Sequence, residues 1–92
     1  MQENSQTKTR ILIEAIGRII TKHRKAQSKT MYEISAEAGV PKATWREVEL
    51  GLKDFRFSTI WKVAEGLDIP LDQLIKELQD DLGEEFSLSD LK

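Results

Sequence analysis

The sequence predicts an all-α domain of five short helices. Apolar residues recur at helical spacing in five stretches, and no βαβ or strand-rich pattern interrupts them. Helix starts and stops punctuate those stretches: Thr30 with Glu33, Gly39 with Pro41, Gly66 with Pro70, then Gly83. At 92 residues the chain suffices for one domain with one modest core.

Residues 1–8 are polar and aperiodic and read as a flexible arm. A first helix is expected from Thr9, which can cap free N–H groups, with Leu12, Ile16, Ile19, Ile20 and His23 as its apolar stripe. Arg18, Lys22, Arg24 and Lys25 crowd its end, where the helix dipole favours cations. Thr30 and Glu33 form a capping-box pattern that opens the second helix, with Ile34 and Ala38 facing inward. Gly39 stops that helix, and Pro41 is tolerated in the first turn of a third, expected over 41–50 and ended by Gly51. Ser58 is placed to cap a fourth helix with Ile60, Val63, Ala64 and Leu67 buried. A fifth carries Leu71, Leu74, Ile75 and Leu78, and Gly83 breaks it. "EFSLS" alternates as a short strand does, but one such run cannot form a sheet alone. Trp45, Trp61, Phe55 and Phe57 are read as core or core cover. The domain is therefore expected over 9–79, with 80–92 as an acidic tail.

Composition narrows the function. There is no cysteine, which removes disulfides, thiolate metal sites and thiol catalysis. His23 stands alone, so no metal site is expected. No nucleophile–base pair, carboxylate dyad or Gly-rich phosphate loop is present, so neither an enzyme nor a cofactor is expected. No apolar run approaches the roughly 20 residues that span a bilayer, and "MQENSQTKTR" lacks signal-peptide character, so a cytoplasmic location is expected. The net charge of −2 hides an asymmetry: residues 1–62 carry twelve basic and seven acidic side chains, residues 63–92 two basic and nine acidic. Two oppositely charged halves suggest two jobs or simply two solvated surfaces, and charge alone does not choose between them.

The segment "GVPKATWREVELG", Gly39 to Gly51, concentrates the functional signal. Ser35, four residues before Gly39, is small enough for a second helix to cross closely, with Ile34, Ala38 and Val40 around the corner. Trp45 and Val48 face back toward that corner, which turns Lys42, Ala43, Arg46 and Glu47 outward. This is helix-turn-helix geometry, in which the second helix enters the DNA major groove. Lys42 and Arg46 can donate to guanine O6 and N7, Ala43 can meet a thymine methyl, and Glu47 can accept from cytosine N4. Glu47 can equally pair with Arg46 or another neighbour.

Residues 11–78 resemble the phage Cro and lambda-repressor-like (XRE-like) helix-turn-helix family. The matching segments are the helix ending "KHRK", then "TMYEISAEAGVPKATWREVELG", then "FSTIWKVAEGLDIPLDQLIKEL". The resemblance implies a compact five-helix domain that binds palindromic double-stranded DNA as a homodimer. It implies an ion pair between Arg24 and Glu49, and phosphate contacts from the loops and helix ends around Lys29, Thr30, Met31, Thr44, Lys53 and Arg56. It implies a dimer contact through the last helices, where Leu71, Ile75, Leu82, Phe86 and Leu88 are the apolar candidates. Three positions depart from the family pattern. Met31 stands where a glutamine usually contacts phosphate, and it has no equivalent hydrogen bond to offer. Pro41 replaces a usual Ser or Thr, and Trp45 replaces an aliphatic. The leading expectation is a small dimeric transcriptional repressor or controller on nucleoid DNA. The alternative is an antitoxin or similar module whose main partner is a protein such as a toxin.

Overall fold

The computed structural model describes residues 5–89, so residues 1–4 of the expected arm and 90–92 of the tail lie outside the described residues. Five helices follow in order: α1 Ser5–Ala26, α2 Met31–Ala38, α3 Lys42–Glu49, α4 Phe57–Gly66 and α5 Leu71–Leu82. No strand occurs among the described residues. α1, with 22 residues, is the spine. α3 and α5 pack against it, α2 packs on α3 and α4, and α4 touches α5. Ile20, Ile34, Trp45, Val63 and Leu74, one from each helix, are fully buried where these helices converge.

The local signals around the corner behave as the sequence chemistry requires. Thr30 Oγ1 accepts from the Glu33 N–H at 3.1 Å, and the Thr30 N–H donates to Glu33 Oε1 at 2.9 Å, a complete capping box. Gly39 takes φ +68° and ψ 32°, the left-handed C-cap that costs a side chain most. Val40 N–H then donates to the Ser35 carbonyl at 3.0 Å, closing the turn toward α3. Pro41 is the N-cap of α3 and supplies no side-chain acceptor.

Several expectations are corrected. α1 begins at Ser5 rather than Thr9, because nothing in "SQTK" breaks a helix and the C-terminal segment folds back beside it, with Lys8 Nζ donating to the Ser89 carbonyl at 3.2 Å. α4 starts one residue before Ser58: Arg56 is the N-cap, its carbonyl accepting from Thr59 and Ile60, so Ser58 lies inside the first turn. "EFSLS" is turn and coil, in keeping with the expectation that a lone run forms no sheet, and no strand among the described residues pairs with it. Phe57 and Trp61 are not core. They are 61% and 51% exposed and stack edge-to-face at 6.2 Å. Both lie on one flank of α4, whose inner face is already filled by Val63 and Ala64.

Two close approaches fix where α3 sits. A Cβ on Gly17 would lie 2.6 Å from the carbonyl oxygens of both Val48 and Glu49, so the end of α3 rests directly on the α1 backbone. A Cβ on Gly66 would overlap Ala38 Cβ, which sets α4 equally close to α2.

An ion pair locks the same junction. Arg24 Nε and Nη2 donate to Glu49 Oε2 and Oε1 at 2.6 and 3.0 Å. Trp45 Nε1 donates to Glu49 Oε2 at 2.6 Å, and Arg24 Nη1 donates to the Lys29 carbonyl at 2.9 Å. The Glu49 side chain is 2% exposed and that of Arg24 is 12% exposed. Burial pushes the Glu49 carboxyl up, but the hydrogen bonds from Arg24 and Trp45 and the Arg24 charge outweigh it, leaving it below the ordinary value. Hydrogen bonding to Glu49 likewise raises Arg24 against the effect of its own burial. No buried side-chain N or O among the described residues lacks a partner.

Gly17→Ala is expected to destabilise the fold. Alanine gains about 1 kcal/mol of helix propensity, but overpacking costs about 1–3 kcal/mol. The clash here is with backbone that moves only if α3 moves. Thermal melting followed by circular dichroism should show a lower midpoint; an unchanged or higher one contradicts the close approach.

Glu49→Gln should cost roughly 3 kcal/mol at neutral pH, because it leaves the Arg24 charge buried without a counter-ion. Because Glu49 titrates lower in the fold than in the unfolded chain, its stabilisation is complete above the ordinary value of 4.5 and is lost as pH falls through the lowered one. Glu33, held down by the Thr30 backbone and side-chain hydrogen bonds, and Glu77, held down by His23, act in the same direction. Urea melts across pH should therefore show the gap between Glu49→Gln and the parent chain narrowing in acid.

Candidate nucleic-acid interface

The clamp and the corner fix which face of α3 is outward. Trp45, Val48 and Glu49 are buried. Lys42, Ala43 and Arg46 are exposed, with Thr44 and Glu47 half-buried beside them. The four residues expected to read bases therefore share one edge of a single short helix. Lys42 and Arg46 have no ion-pair partner among the described residues, so both cations are available to a ligand. Glu47 does have one: Lys53 Nζ lies 3.0 Å from its Oε2.

The residues expected at phosphates flank this edge with unequal freedom. Thr30 is exposed; its hydroxyl oxygen serves the capping box, and a hydroxyl that accepts still has a proton to donate. Lys29 Nζ is held by Glu37 Oε2 at 2.6 Å, and the Lys29 carbonyl is fixed by Arg24. Met31 is partly buried against the core, so it acts as packing. Arg56 is exposed at the start of α4, without an ion-pair partner among the described residues. At the start of α3, Pro41 offers no side-chain cap, which leaves the first-turn N–H groups of Lys42, Ala43 and Thr44 without a side-chain acceptor.

The apolar residues expected at a dimer contact are largely engaged within the chain. Leu71 and Leu82 pack against the core. Phe86 and Leu88 fold back with Leu12, Leu78 and Leu82 around a surface hollow. Ile75 lines a separate apolar cleft of about 200 Å³ between α1, α4, α5 and the loop before α4, with Phe55, Phe57 and Ile60 on its walls. Sequence reasoning missed the exposed Phe57–Trp61 pair beside that cleft; its signal was the i,i+4 spacing on the flank of the α4 stripe. It missed the Trp45–Glu49 hydrogen bond too, although the same spacing was visible there.

Elsewhere, His23 Nε2 lies 2.9 and 3.0 Å from the two Glu77 oxygens and ties α1 to α5. No cluster of three or more potential metal ligands occurs among the described residues. No helix among them is long and apolar enough to cross a membrane.

No protein-family pattern matches the sequence, and no curated protein matches it. Solved structures do match. The clp gene regulator ClgR from C. glutamicum aligns with a TM-score of 0.71 at 20% identity, covering 80% of this chain and 96% of its own. The restriction-modification controller protein C.AhdI from Aeromonas hydrophila gives 0.64 at 22% identity, covering 67% and 94%. The wild-type restriction-modification controller protein C.Esp1396I gives 0.64 at 17% identity, covering 73% and 92%. The chain thus shares the all-α fold of these three solved structures.

Proposed function

We propose that the chain is a sequence-specific double-stranded DNA-binding transcriptional regulator, a small repressor or controller that reads the major groove with α3. The observation that carries this reading is the pairing of a clamped helix with an uncommitted basic edge. Lys42 and Arg46 project from a helix whose opposite face is held by Trp45, Val48 and the buried Arg24–Glu49 pair. Base discrimination needs donors placed to within a fraction of an ångström, and a helix locked on two sides provides that placement. The fold neighbours, a gene regulator and two controller proteins, support a regulatory role rather than catalysis. Action on nucleoid DNA in the cytoplasm follows from this reading.

In this reading Arg46 and Lys42 donate to guanine edges, and Ala43 leaves room for a thymine methyl. Thr30, Thr44, Arg56 and the open first turn of α3 meet phosphates. The protein acts as a two-fold dimer on palindromic sites, with the two α3 helices one DNA turn, about 34 Å, apart. The dimer contact uses the apolar cleft at Ile75 together with Phe57 and Trp61, and Leu88 where it is exposed. The same aromatic exposure is the one observation that favours the alternative, an antitoxin-like module docked on a protein partner; its continuity with the apolar cleft that Phe57 lines favours self-contact.

Arg46→Ala should cost about 1–3 kcal/mol on a preferred site and relax discrimination at one or two base pairs. Arg56→Ala should weaken preferred and random duplexes alike and make the salt dependence shallower by about one phosphate contact. Fluorescence anisotropy titrations on both duplexes at several salt concentrations distinguish the two. Equal losses from both changes on every sequence would remove Arg46 as a reader.

Trp61→Glu should leave helicity intact, since Trp61 is half exposed, while shifting sedimentation from dimer to monomer. A dimer that persists unchanged points the contact elsewhere.

A further inference from the structure

We propose that Glu47 couples base reading to the phosphate grip of Lys53, holding that lysine until its carboxylate meets a donor on a base edge. The inference rests on the DNA-binding reading above and assigns Glu47 a role beyond simple readout. Glu47 holds the loop after α3 twice: its carbonyl accepts the Leu52 N–H at 3.0 Å, and its carboxylate takes Lys53 Nζ at 3.0 Å. The residue at the end of the reading edge thereby positions the lysine expected to grip the backbone.

The chemistry of this pair is that of an internal substitute for phosphate. A carboxylate and a phosphate compete for one ammonium, and Lys53 is 62% exposed, so the pair is held weakly enough to exchange. Glu47, 28% exposed, stands beside Arg46 on the helix that enters the groove. Against DNA, an unpaired carboxylate is repelled by the backbone. Where a cytosine N4 amine faces it, the carboxylate gains a donor and Lys53 is released to phosphate. Where no donor faces it, Glu47 keeps Lys53 and that phosphate contact is lost. A backbone contact, ordinarily blind to sequence, then depends on a base.

The molecule carries its own comparison. Lys29 is paired with Glu37 Oε2 at 2.6 Å, the same chemistry on the other flank, but Glu37 lies on α2 and not on the reading edge. Release of Lys29 has no base partner to govern it.

The test uses the full chain with Glu47→Gln, Lys53→Ala, both together, and Glu37→Gln. The probes are a random-sequence duplex and the tightest duplex recovered by selection, titrated across salt. Glu47→Gln should bind the random duplex about fivefold tighter at low salt, with a log–log salt slope steeper by about 0.9, the signature of one more neutralised phosphate. The selected duplex should gain little, so the ratio between the two falls. Both effects should vanish when Lys53 is alanine, and Glu37→Gln should tighten both duplexes equally. A gain from Glu47→Gln that survives Lys53→Ala, or that is the same on both duplexes, overturns the coupling. If the parent chain binds neither duplex at low salt, the DNA reading itself fails, and that is visible before any variant is made.

Discussion

A carboxylate buried to 2% exposure at the end of α3 constrains the rest of this molecule. Glu49 can remain charged there only if donors surround it, and Arg24 and Trp45 supply them from α1 and α3. Each consequence is geometric. α3 cannot slide along α1 without breaking a bidentate pair. It must approach closely enough that position 17 admits no side chain. A third guanidinium N–H reaches the Lys29 carbonyl, so the loop leading into the α2 capping box is fixed by the group that fixes α3. The exposed edge of α3 and the flanking loop are therefore held in one frame.

The charge layout follows from how the acidic half is used. α5 places Glu77 on His23 and Asp81 on Arg18, at 2.9 and 3.4 Å, so part of the negative surplus is spent against α1. Within the helix-turn-helix, Glu37 and Glu47 neutralise Lys29 and Lys53. Lys42, Arg46 and Arg56 are left without ion pairs among the described residues. A net charge of −2 is thus compatible with a local surface that attracts an anion.

What the sequence disclosed and what it hid divide along a physical line. The capping box at Thr30, the left-handed Gly39, the Pro41 start and the burial of Trp45 and Val48 rest on local chemistry and helical period, and all were legible. The Arg24–Glu49 pairing came from family resemblance, since 25 residues of sequence separate the partners. The features that escaped depend on tertiary contact. Gly17 looks like an ordinary weak spot in a helix until α3 is placed upon it. Ser58 is a good cap by type, but the chain turns helical at Arg56. Trp61 is large and apolar, but the inner face of α4 is already full. On α3, the exposed edge was readable from period alone, whereas the pairing of Glu47 with Lys53 required the loop to fold back.

Selection of duplexes from a random pool by the full chain tests most directly whether a clamped α3 reads sequence. If two α3 helices read DNA about a two-fold axis, recovered sites should have two-fold symmetry and half-sites about one helical turn apart. Information should concentrate at the few base pairs facing Lys42, Ala43, Arg46 and Glu47. A recovered pool with no sequence preference, or with preference but no symmetry, would contradict it.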